Sequence, residues 1–124
     1  MTAPLASSST TDHLVARDVE ALRVVLADEL EAQHAQVHEF QATVDHLTGQ
    51  SDSDSLLERE LAERSRHRAL EVITEIEHAL RRIAAVGYGT CERCGGPVAL
   101  ERLRAIPFTR HCVRCPPPAP AAIG

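Results

Sequence analysis

From Asp12 to Leu47 the chain runs without a proline or a glycine, and the stretch from Ser55 to Val86 does the same. In the first stretch apolar residues recur at Val15, Val19, Leu22, Leu26, Leu30, Val37, Phe40, Val44 and Leu47. Steps of three, four and seven mark a helix with one buried stripe, here interrupted by the polar Gln33. In the second, Leu57, Leu61, Val72, Ile76, Ala79 and Ile83 fall on one face. Between the two lies TGQSDSDS, which is loop chemistry: a glycine and a cluster of Ser and Asp. Two long helices joined by a short polar turn have one simple solution. They fold back as an antiparallel coiled-coil hairpin, roughly 50 Å long, and bury their stripes against each other. The pattern predicts a hairpin over 12–87: a helix over 12–47 capped by Asp12 or Thr11, a tip at 48–54, and a helix over 55–86. Asp54 or Ser55 caps the second helix, Glu58 completes a capping box, and Gly87 and Gly89 stop it.

Aromatic residues make up 2% of the chain, so its core must come from Leu, Val, Ile and Ala on those helices. The formal net charge is −5, which opposes non-specific binding to nucleic acid. No sequence-specific DNA binding is expected. No apolar run is long enough to span a membrane, and the opening MTAPLASSSTTDH is not a secretory signal. A cytoplasmic protein is the expectation. Residues 1–11 lack periodicity and are expected to be a disordered tail. Residues 116–124, PPPAPAAIG, cannot continue a helix and are expected to be extended and mobile.

All four cysteines lie within residues 88–115, as Cys91 and Cys94, then Cys112 and Cys115. Two Cys-x2-Cys pairs at this separation are a zinc pattern. A tight turn at each pair points two thiolates at one ion, and two such turns complete a tetrahedron. Gly95 and Gly96 follow the first pair, where the chain must turn sharply. The segment is too short to fold on apolar burial of its own, so one structural zinc is expected to hold it. Four thiolates leave no open position for a substrate, so no enzymatic activity is expected. His111 beside Cys112 needs no role as a ligand. The competing reading is a pair of redox Cys-x-x-Cys motifs. That chemistry prefers a βαβ setting, which this chain lacks.

A helical hairpin leading into GYGTCERCG and ending RHCVRC resembles the DksA/TraR family of bacterial transcription regulators. The likeness runs from about Leu61 to Cys115. It implies a mainly α protein: a coiled-coil hairpin with a small four-cysteine zinc-finger module at its base. The hairpin would enter the secondary channel of RNA polymerase and carry an acidic tip toward the active site. The tip candidates are Asp52 and Asp54, two apart where the family has an Asp-x-x-Asp-x-Ala pattern. Arg68 matches a basic residue of the family's second helix, and Arg64 stands one turn before it; both are candidate contacts along the shaft. The basic residues that some members use to hold guanosine tetraphosphate are replaced near Glu75, Ile106 and Pro116. A response to that alarmone is therefore not expected. Prolines stand where the family's C-terminal helix would follow.

Other features carry less. His34 and His38 lie one turn apart with His67 opposite, and are expected to be surface histidines and not a second metal site. Arg64, Arg66 and Arg68 form a basic run that Glu60 and Glu63 can neutralise. The finger itself is rich in arginine but almost without stacking aromatics, which argues against a nucleic-acid surface. The expected function is a zinc-containing, non-enzymatic regulator that binds RNA polymerase. The alternatives are a zinc-stabilised coiled-coil adaptor or dimerisation protein with another partner, and, third, a thiol-disulfide oxidoreductase.

Overall fold

A computed structural model describes residues 14–115. The expected tails at 1–11 and 116–124, and the candidate caps Thr11 and Asp12, lie outside the described residues. Two long helices, α1 (Ala16–Leu47) and α2 (Ser53–Ala84), pack antiparallel, and a short helix α3 (Leu100–Ala105) follows in the finger. Among the described residues there is no strand, only one isolated antiparallel bridge between Thr90 and Pro97.

The hairpin arises as the spacing predicts, with local corrections. α1 begins at Ala16, after an extended Val15 that makes no side-chain cap. The turn forms because Gly49 takes φ +93° and the Thr48 hydroxyl donates to the Val44 carbonyl at 2.7 Å. The cap of α2 is Asp52, not Asp54 or Ser55: its carboxylate accepts the Ser55 N–H at 2.9 Å. α2 therefore starts at Ser53 and ends at Ala84, earlier at both ends than 55–86.

The stripe of α2 also differs. Leu57 and Leu61 are 57% and 50% exposed, while Ala62, Ala69, Ile73, Ile76 and Ala79 are buried. The seam of α2 thus takes alanines along its length, at Ala62, Ala69 and Ala79. The larger leucines are left on the flank. The stripe of α1 lies where it is expected from Val19 on: Leu22, Leu26, Val44 and Leu47 are buried, and Val19, Leu30, Val37 and Phe40 half-buried, whereas Val15, ahead of the helix, is exposed.

The main core sits at the base. Leu14, Leu22, Leu26, Ile76 and Ala79 of the hairpin form one cluster with Tyr88, Cys91, Val98, Leu103 and Cys112 of the finger. The finger thus does have apolar burial beside it, contrary to the view of that segment alone. Its apolar side chains are too few for a core of their own but suffice to extend the hairpin's.

Candidate metal centre and hairpin tip

The first cysteine pair is built on a tight turn. The Cys91 N–H donates to the Gly96 carbonyl at 2.8 Å, and the Gly95 N–H donates back to the Cys91 carbonyl at 2.9 Å. Gly95 takes φ +77°, which a side chain would strain. The Gly96 N–H then faces the Cys94 sulfur at 3.4 Å. The second pair is brought alongside by α3 and the loop after it. Leu103 is fully buried, the Arg102 Nε donates to the His111 carbonyl at 2.8 Å, and the Glu92 N–H donates to the Arg110 carbonyl at 2.8 Å. Tyr88 braces the same loop, its hydroxyl donating to the Pro107 carbonyl at 2.9 Å.

These contacts converge four sulfurs. Cys91 to Cys115 and Cys94 to Cys112 are each 3.7 Å apart, and Cys112 to Cys115 is 3.8 Å. All four lie within 4.8 Å of one another. A tetrahedral zinc with Zn–S bonds of about 2.3 Å requires S–S edges of about 3.8 Å. The donor set fits that ion in both distance and softness. The electrostatics agree. Burial opposes ionisation of Cys91, but the backbone N–H groups of Cys112, Cys94 and Arg93 bring its thiol down to about 5. Burial and the neighbouring sulfurs push Cys115 up to about 12. Four sulfurs so close cannot all be thiolates unless a cation lies among them.

The joint between finger and hairpin is a charge network that sequence reasoning missed. Arg110 of the finger makes a two-pronged contact with Glu75 of α2, at 2.6 and 3.1 Å. Glu92, next to Cys91, pairs with Arg82 at 3.0 Å, with Arg110 at 3.5 Å, and with His78. Burial raises the Glu92 carboxyl, but His78, Arg82 and Arg110 together hold it below the usual carboxylate value. Glu75 and Arg110 are 35 residues apart, so no local spacing signals them.

At the other end, the tip presents two exposed carboxylates at the start of α2. Asp52 caps the helix, and Ser55 holds its carboxyl below the usual range. Asp54 lies in the first turn, where a negative charge also suits the helix dipole. Along the shaft, Arg64 pairs with Glu60 at 3.2 Å with both side chains exposed, and Arg68 is exposed beside it. Arg66 instead turns inward and donates to the Gln41 side-chain oxygen at 2.9 Å. The structure thus splits the basic run and places tip and cysteines at opposite ends of the hairpin. His34, His38 and His67 are exposed and do not converge. Among the described residues only the four cysteines group closely enough to hold a metal. No helix among the described residues is long and apolar enough to cross a membrane.

Comparison with known proteins agrees with this geometry. Residues 87–115 match the prokaryotic DksA/TraR C4-type zinc finger. An uncharacterised protein of Aquifex aeolicus is 46% identical over 46 residues, covering 37% of this chain and 32% of the relative. The RNA polymerase-binding transcription factor DksA of Caulobacter vibrioides is 35% identical over 79 residues, covering 57% and 56%. The protein of the same name from Escherichia coli K12 is 29% identical over 99 residues, covering 80% and 64%. The chain thus spans less than two thirds of the length of these relatives. The solved structure of transcription factor DksA2 from Pseudomonas aeruginosa has the same fold. Its TM-score is 0.74 at 21% identity, over 87% of this chain and 86% of that one. A finger of the DksA/TraR C4 type thus closes the base of a hairpin with the fold of DksA2.

Proposed function

We propose that this protein is a non-enzymatic regulator of transcription that binds RNA polymerase and delivers the hairpin tip into the enzyme's secondary channel. The observation that carries the reading is the joining of a DksA/TraR-type finger to a hairpin of DksA2 fold. Relatives named as RNA polymerase-binding factors support it. In this reading one zinc, held by Cys91, Cys94, Cys112 and Cys115, has a structural role. It neutralises the clustered thiolates and fixes the loop that carries Arg110 onto Glu75. All four positions are filled by sulfur, so the metal has no site for a substrate.

The division of labour follows from length. Arg64 and Arg68 lie on the shaft and contribute affinity for an acidic surface. Asp52 and Asp54 stand at the end of a hairpin roughly 50 Å long, where they can approach a deep site. Carboxylates there act electrostatically, on a catalytic Mg²⁺ or on the loops around it. Guanosine tetraphosphate has no place in this reading. At the base, the Glu75 carboxylate would repel a polyphosphate, and it is already engaged by Arg110.

A purified transcription assay tests the proposal. Asp52→Asn with Asp54→Asn removes the charge while Asn keeps the capping oxygen. The double variant is expected to bind polymerase within a few-fold of the parent and to lose its effect on initiation. An effect equal to the parent's, with binding also equal, would show the acidic tip to be a solvated turn.

A further inference from the structure

We propose that the distal part of the hairpin, residues 41–66, opens and closes as a unit of its own, with the Gln41–Arg66 layer as its boundary. The first ground is where the core lies. The large apolar cluster joins the base of both helices to the finger and draws no residue from 31–71. Beyond it the shaft buries only Ala69 and Ile73, and near the turn Val44, Leu47 and Ala62.

The second ground is what separates the two ends. Gln33, Gln41, Ser65 and Arg66 are half-buried in mid-shaft, where a coiled coil would normally place apolar side chains. Arg66 satisfies one nitrogen on Gln41, but its Nε is buried with no partner. A buried donor left unmade weakens the packing around it. The remaining distal polar contacts named here are short-range. Arg64 with Glu60, Gln41 with Asp45, and the Thr43 hydroxyl with the Glu39 carbonyl each span one turn. Such contacts support a helix but do not hold two helices together.

The third ground is the contrast with the base. There Glu75, His78 and Arg82 of α2 are tied to Arg110 and Glu92 across the joint, around residues that are almost fully buried. Local opening begins where buried apolar contacts are few, so the hairpin should come apart from the tip inward and stop at the base. The tip carboxylates Asp52 and Asp54 ride on the mobile part.

Hydrogen exchange on the full zinc-loaded chain at rising denaturant tests it. Amides of 42–47 and 56–66 should exchange at least about tenfold faster than those of 73–80, and with a weaker dependence on denaturant. In Gln41→Leu with Arg66→Leu the difference should shrink. Arg66→Met, which keeps the length of the side chain without its charge, should move it the same way. One shared rate and denaturant dependence along both helices would overturn the independent unit. An unchanged difference in both variants would overturn the boundary.

Discussion

Arg110 in the finger closes on Glu75 in α2 through two parallel hydrogen bonds, Nε to Oε1 at 2.6 Å and Nη2 to Oε2 at 3.1 Å. Both side chains are about a third exposed, so solvent screens the pair. A double-mutant cycle with Glu75→Gln and Arg110→Gln should give a coupling of roughly 0.5–1 kcal/mol in urea unfolding. Coupling indistinguishable from zero would mean that the joint is held by the apolar cluster alone.

Burial separates residues that hydrophobicity does not. Ile76 and Leu103 are fully buried in the shared cluster, whereas Leu57 and Leu61 are half exposed. Ile76→Ala and Leu103→Ala should each cost about 2–5 kcal/mol. Leu57→Ala and Leu61→Ala should stay within about 0.5 kcal/mol. Leu103→Ala should also weaken the helices, since its side chain packs on them. Helix melting unaffected by that substitution would contradict a common core.

Metal removal should act beyond the finger for the same reason. Cys91 and Cys112 are members of the cluster that includes Leu26 and Ile76. One zinc per chain is expected, with binding on the order of 10 kcal/mol at neutral pH. Chelation, or Cys94→Ser, should release it and lower the melting temperature of the hairpin base while much of the helix content remains. Equal zinc content in the Cys94→Ser variant and the parent would contradict the four-sulfur site.

The cap of α2 predicts a pH dependence at the tip. Ser55 holds the Asp52 carboxyl below its ordinary value, so the folded group ionises at lower pH than the unfolded one. Its stabilising contribution is fully present above the unfolded value of about 3.9 and is lost as pH falls through the depressed folded one. The Ser55 amide resonance should titrate with a midpoint below about 3.9. Asp52→Asn should abolish that transition, and Asp54→Asn should leave it. A midpoint at or above the ordinary value would argue against the cap.

The two helices and the finger were legible because both rest on spacing. Apolar steps of three and four mark a helix, and two Cys-x2-Cys pairs mark converging sulfurs. The details that escaped depend on competition and on distance. In SDSDS every residue is a plausible cap, and only the assembled turn singles out Asp52. Leu57 and Leu61 are more hydrophobic than Ala62, yet the alanine is the one that faces the partner helix and is buried. Considered alone, the finger looks short of a core, because the core is completed by Leu22, Leu26 and Ile76 from far away in the chain. Glu75, His78, Arg82, Glu92 and Arg110 look like ordinary surface charges until the fold assembles them.

Co-sedimentation of the purified zinc-loaded chain with purified polymerase reads out whether this hairpin engages RNA polymerase. A saturable complex with Kd below about 10 µM is expected, which corresponds to roughly −7 kcal/mol. Arg64→Ala with Arg68→Ala should weaken it, and Asp52→Asn with Asp54→Asn should not. No saturable complex in that range, with folded and zinc-loaded protein, would rule out polymerase as the target and leave the hairpin to serve another partner.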